Sequence, residues 1–284
     1  LVHNPEGAAA LEITLVGPAI EFEDDAFIAI CGADLSPRIA DVAIPSWRAV
    51  YVQQGSVLSF GHARWGCRAY LAVAGGIDVP EVMGSRSTYL RAGIGGVEGR
   101  ALQAGDSFPV ADAPPGSVRS MQRAAEAIGP LPFALSERSW DDPARLYRAG
   151  AIRFVPGPHW ELMDDGDRAR FTTDTFTIST DSDRMGYRLS GPPLRSVGGE
   201  ELISTAVLTG TVQVPPGGAP IVLMADRQTT GGYPMVAQVI TADLPTVAQR
   251  RPGDEILFEA STVELAQQEL RAREGAMEDA RRSL

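Results

Sequence analysis

The densest run of chemically able side chains is Asp226-Arg-Gln-Thr-Thr230, followed by Gly231-Gly-Tyr-Pro234. An apolar, strand-like stretch at 221–225 delivers it. Five consecutive hydrogen-bonding side chains exceed what a plain surface turn needs. The two glycines allow a close backbone approach to something else, either a ligand or a neighbouring strand. Asp226 is the carboxylate candidate for acid/base work, or for holding Mg²⁺ beside a phosphate with waters completing the shell. The competing reading is an Asx-type turn that caps the strand. Arg227, Thr229, Thr230 and Tyr233 are the candidates for contact with an anionic substrate.

Two further constellations carry similar chemistry. In Gly84-Ser-Arg-Ser-Thr-Tyr89, Arg86 is flanked by Ser85, Ser87 and Thr88. Guanidinium and hydroxyls together suit an oxyanion, and Gly93, Gly95 and Gly96 could add a nest of backbone N–H groups. A polar, glycine-rich rim loop is the alternative. In Ser182-Asp-Arg-Met-Gly-Tyr-Arg-Leu189, Arg184 and Arg188 are four apart, a spacing that shares a face in a helix or in a strand. They form either a two-arginine clamp or two structural ion pairs. Gln213, a polar residue in the apolar run 208–214, supplies an amide to a ligand or to a backbone group.

Composition excludes much else. All 25 basic residues are arginine, so a lysine P-loop, a lysine Schiff base and a lysine general base are absent from this chain. A net charge of −11 argues against nucleic acid as the main partner. No apolar run approaches the ~18–20 residues of a membrane helix. The three histidines and two cysteines are dispersed, without zinc-type spacing. No protein cluster predicts a metal, Asp226 and Mg²⁺ apart. Cys31 and Cys67 read as buried free thiols.

These residues need a frame, and short strands dominate it. Runs at 11–16, 27–30, 47–52, 57–60 and 68–73 recur in texture at 152–155, 175–179, 208–214, 221–225, 236–240 and 255–258, separated by Gly, Pro, Asp or Ser. That pattern predicts barrels or sandwiches. Gly105-Asp106 and Gly253-Asp254 each precede a closing strand, an echo that predicts two similar halves. The expected division is a first β-barrel half at 1–111, a connector at 112–149 with a short helix near 118–127, and a second half at 150–284. Ser261 and Glu264 suit a capping box, and the last helix is expected over 262–281.

Taken together, the blocks resemble the carboxyltransferase subdomain B family, also called allophanate hydrolase subunit 2. The resemblance rests on Gly66-Cys-Arg-Ala-Tyr-Leu-Ala-Val-Ala-Gly-Gly-Ile-Asp78, Gly84-Ser-Arg-Ser-Thr88, Ser182 to Leu189, Gln213-Val-Pro-Pro216 and Ala225 to Pro234. It runs from Leu1 to about residue 260. The family's opening segment with a Thr-Val-Gln-Asp type motif is absent from this sequence, and Thr205 stands where many relatives carry an acid. The resemblance implies a mainly β fold of two cyclophilin-like β-barrel halves with a C-terminal helix. It also implies a B-type partner (allophanate hydrolase subunit 1 family), and with it the A-type component of 5-oxoprolinase.

The activity it implies is that of a cytoplasmic, ATP- and Mg-dependent 5-oxoprolinase complex, which opens a small cyclic amide to glutamate. In that reading Arg86, Asp226 and Arg227 are catalytic. Ser87, Thr88, Arg184, Arg188, Gln213, Thr229, Thr230 and Tyr233 bind substrate or anion. Two alternatives accompany it: a carboxyltransferase section acting on urea or a related amide, with biotin arriving on another chain, and a regulatory module that antagonises a kinase inhibitor.

Overall fold

Strands form at short apolar runs rich in Val, Ile and aromatic residues, and two separate sheet systems result. The structure, a computed structural model, describes residues 1–147, 149–195 and 202–284. They group into two units, Leu1–Asp141 (with Leu284) and Asp142–Ser283.

The first unit contains β1 (Leu11–Thr14), β2 (Ile20–Glu21), β3 (Ala26–Asp34), β4 (Arg38–Ile39), β5 (Val42–Ala43), β6 (Arg48–Val52), β7 (Val57–Ser59), β8 (Trp65–Val73), α1 (Pro115–Glu126) and β9 (Phe133–Ser139). A five-stranded sheet runs β1-β8-β3-β6-β9 and a four-stranded sheet β2-β7-β4-β5. Strand β3 shows why both faces are covered. Ile28 and Ile30 join the core with Leu35, Ile39 and Leu58. Their alternates Phe27 and Ala29 pack with Ala49, Tyr51 and Ala124 of α1, as the two-residue period of a strand requires.

This places α1 and β9 inside the first unit, where a connector at 112–149 was expected. The helix packs in a cluster of small and aromatic residues, among them Phe27, Ala29, Ala49, Tyr51 and Ala134. The short helix expected near 118–127 is present as α1; its contacts with distant strands are what the local pattern does not show.

The second unit contains β10 (Ile152–Pro156), α2 (Asp165–Thr173), β11 (Phe176–Ile178), β12 (Gly186–Ser190), β13 (Thr205–Ala206), β14 (Thr211–Gln213), β15 (Ile221–Leu223), β16 (Thr230–Gly231), β17 (Met235–Val239), α3 (Leu244–Ala248), β18 (Glu255–Ile256), β19 (Phe258–Ala260) and α4 (Val263–Ser283). Eight strands order as β18-β11-β12-β15-β14-β17-β10-β19. The two edges of that sheet are consecutive pieces of one segment, separated only by Leu257. The sheet therefore curls round and nearly closes as a barrel. Its interior is aromatic: Phe171 of α2 stacks on Phe258 at 4.5 Å between centroids and meets Phe154 edge-on at 5.0 Å.

The echoed Gly-Asp pairs form the same turn in both units. Gly105 and Gly253 have φ of 92° and 89°, the left-handed region that favours glycine. Asp106 accepts from Gln103 N–H at 2.7 Å and Asp254 from Arg251 N–H at 2.8 Å. Arg100 also grips Asp106 with both terminal nitrogens. That fork, then the Gln103 amide, holds the Asp106 carboxyl at about 2. A depressed carboxylate stabilises fully above its unfolded value of roughly 4 and loses this contribution as pH falls through about 2. A carbon-detected NMR titration of Asp106 should show that midpoint; one near 4 would mean the fork does not form in solution.

The last helix matches expectation, except that its cap is Thr262, whose hydroxyl accepts from Leu265 N–H at 3.2 Å. No helix of the described residues is long and apolar enough to cross a membrane. Both cysteines are free, Cys67 buried and Cys31 half-buried, with burial pushing the Cys31 thiol up to about 11.

Candidate functional site

In the second unit, backbone pairing beyond the ends of β12 and β15 brings two charged residues together. Met224 N–H donates to Met185 O and Asp226 N–H to Arg184 O. The side chains then meet as a fork: Arg184 Nε reaches Asp226 Oδ2 at 2.9 Å and Nη2 reaches Oδ1 at 3.0 Å. Both carboxylate oxygens thus accept from a cation, which disfavours a second cation there. Asp226 orders the loop start instead of standing as an open metal ligand or base. Among the described residues no group of three or more His, Cys, Asp or Glu could hold a metal ion.

Arg227 follows in a turn closed by its N–H to Met224 O, and its Nε donates to Val207 O at 3.3 Å. The terminal nitrogens of Arg227 have no partner among the described residues. Thr229 O accepts from Val207 N–H, and β16 pairs with β13, Thr230 opposite Ala206 and Gly231 opposite Thr205. The Thr229 and Thr230 side chains are exposed, as is Tyr233 at 48%.

Gln213 is 1% exposed, so the sequence candidate for a ligand amide is buried. Its Nε2 donates to Tyr233 O at 3.3 Å, and its Oε1 accepts from Gln228 Nε2 at 3.4 Å. It holds the loop from beneath. The double glycine serves that contact: a Cβ on Gly231 would stand 2.5 Å from Gln213 Nε2, and one on Gly232 3.2 Å from Leu202 O. The close approach is therefore to the protein's own strands. Gly231→Ala is expected to cost about 1–3 kcal/mol, and the penalty should vanish in a Gln213→Ala background. A double-mutant cycle by denaturant unfolding checks this; additive costs would show that the two groups do not collide.

Arg188 lies on β12 with an exposed side chain, and its main chain exchanges hydrogen bonds with Ser182 Oγ. Arg184 belongs to the preceding turn, where Asp183 Oδ1 accepts from Met185 and Gly186 N–H. That turn interrupts the alternation, so the even spacing does not make one clamp of the two arginines.

In the first unit, Arg86 lies 3.3 Å from Glu81 and donates to Gly7 O, also at 3.3 Å. It is exposed, with Ser87 exposed and Thr88 half-buried beside it. Of the three glycines expected to offer N–H groups, Gly93 does not. Gly93 N–H is taken by Tyr89 O, and Gly95 and Gly96 pack against Ser87 O and Thr88 with no room for a Cβ. Sequence reasoning also missed His159, whose ring accepts from Met235 N–H at 3.0 Å. The only signal was the Gly157-Pro-His turn after an apolar run.

The loop after β15 thus sets Arg227 beside the Arg184–Asp226 fork, with the hydroxyls of Thr229 and Thr230 exposed, a grouping suited to an anion. The same chain matches the family model described as carboxyltransferase domain, subdomain A and B, over residues 1–260. It belongs to that family. Among its relatives, the C component of 5-oxoprolinase from Escherichia coli (strain K12) is 42% identical, covering 94% of this chain and 79% of that protein. The Haemophilus influenzae protein of the same name is 36% identical, covering 99% and 84%.

Solved structures agree. The Kluyveromyces lactis urea carboxylase superposes with a TM-score of 0.79 at 29% identity, covering 95% of this chain and 24% of that one. TTHA0988 superposes with a TM-score of 0.74 at 32% identity, covering 91% and 46%. The chain spans about a quarter of the first structure and under half of the second.

Proposed function

We propose that this chain is one subunit of an ATP-dependent 5-oxoprolinase-type complex that activates 5-oxoproline and opens it to glutamate. The observation that carries this reading is the loop held by the Arg184–Asp226 fork and Gln213, which presents Arg227, Thr229 and Thr230. Guanidinium and hydroxyl donors on a rigid frame supply the positioning and charge stabilisation that phosphoryl transfer demands. Arg86, Ser87 and Thr88 are a second anion-binding group in this reading, and Arg188 a further cation. ATP with Mg²⁺ is the cofactor, and proteins of the B type (allophanate hydrolase subunit 1 family) and of the A type of 5-oxoprolinase are the cytoplasmic partners. The 42% identity to the C component of a 5-oxoprolinase supports it. The test is reconstitution with those partners: ATP hydrolysis should depend on 5-oxoproline and release glutamate. Hydrolysis indifferent to 5-oxoproline would overturn the reading.

A second reading is a carboxyltransferase acting on urea or a related amide, with biotin carried by another chain. It is favoured by a likeness to a putative urea carboxylase of Emericella nidulans, 32% identical over 95% of this chain. Carboxylated urea formed from carboxybiotin would support it.

A further inference from the structure

The turn at 157–159 is strapped to the start of β17 by three hydrogen bonds. Gly157 N–H donates to Val236 O at 2.8 Å and His159 N–H to Met235 O at 3.0 Å. The third is different in kind: Met235 N–H donates to the His159 ring at Nδ1, 3.0 Å away. An imidazole accepts at Nδ1 only when that nitrogen carries no proton, so the neutral ring has its proton on Nε2. Met235 is also the residue that Gln213 faces across β14 and β17, where the register shifts between Val212 and Gln213. Gln213 holds Tyr233 O and Gln228. The far end of the 226–234 loop is thereby gripped on both sides, by Gln213 and by His159.

We propose that His159 is a positioning residue for this loop, acting as the Nδ1 acceptor that fixes Met235 N–H and with it the loop's return into the barrel. This rests on the proposed function, in which the loop is one wall of the ligand site. The geometry makes the requirement specific. Asparagine places its Oδ1 where Nδ1 stands, glutamine carries its carbonyl one bond further, and alanine offers no acceptor while leaving a buried donor unpaired.

The experiment is 5-oxoproline-dependent ATP hydrolysis in the assembled complex, beside nitrogen NMR of the ring in the full chain. H159N should stay within about twofold of the parent, whereas H159A and H159Q should lose about tenfold in kcat/KM. The ring should show the Nε2–H tautomer. An H159N loss as deep as that of H159A, or a ring protonated at Nδ1 at neutral pH, overturns the proposal. A parent complex without turnover would refute the oxoprolinase reading alone. The ring tautomer, together with exchange protection of Met235 N–H retained in H159N and lost in H159A, would then decide the role of His159.

Discussion

Replacing Asp243 with alanine is expected to destabilise the second unit by about 3 kcal/mol, the lower part of the range for breaking a buried ion pair. Asp243 is 1% exposed and its partner Arg153 8% at the side chain. One carboxylate oxygen accepts from both Arg153 N–H and Nε, at 2.9 and 3.0 Å, and the other from Nη2 at 2.7 Å. Asp243, and then Glu269, raise the Arg153 pKa still further, so this cation stays charged across any working pH. Without Asp243 it would remain charged and buried, with only Glu269 of α4 at 3.2 Å to compensate. That residual contact is why the lower end of the range is expected. The same pair fastens α4, a helix with no buried residue of its own. Chemical denaturation checks the magnitude; a loss below about 1 kcal/mol would mean that solvent reaches Arg153.

Replacing Asp226 with alanine is expected to reduce turnover of the assembled complex about 100-fold, with little loss of stability. The fork is partly exposed, 31% at Arg184 and 18% at Asp226, so the freed guanidinium can reach water and the stability cost is about 1 kcal/mol. The functional cost is larger because Arg227 is the next residue. A shift of about 1 Å in a positioned group can cost on the order of 100-fold. Arg184→Ala should act alike, and the double variant should be no worse than the poorer single one, since both break one unit. Activity of Asp226→Ala within about threefold of the parent would sink this account. So would a raised Mg²⁺ requirement seen with Asp226→Ala and not with Arg184→Ala, the behaviour of a metal ligand.

Much of the frame was legible because strand patterning and turn chemistry are local. The apolar run at 27–30 within β3, the paired Gly-Asp turns and the spacing of α4 each follow from neighbours within a few residues. The misreadings arose where a distant partner decides. Arg184 finds Asp226 at a separation of 42 residues and His159 finds Met235 at 76, and no local pattern encodes either. The Arg184–Arg188 spacing left a clamp and two ion pairs open, because the turn that Asp183 closes is not written in the spacing. The glycines at 95 and 96 were legible as unusual, but their close contact is to Ser87 and Thr88. For the loop itself, side-chain types did not show which residues are taken up by other parts of the chain. Asp226 and Gln213 hold; Arg227, Thr229 and Thr230 are left to present.

The closure of the second barrel by residues 255–260 also bears on how the chain is made. β19 pairs in parallel with β10, Ile152 opposite Phe258, and β18 pairs antiparallel with β11, Phe176 opposite Ile256. Both early strands therefore wait, one edge unpaired, until residues 255–260 have left the ribosome. The strands and helix of the first unit lie within its first 139 residues, and that unit can consolidate during synthesis. Unpaired edges are templates for aggregation, so the interval before residues 255–260 emerge is when the nascent chain is most exposed to mispairing. Loss of residues 255–260 would make that interval permanent.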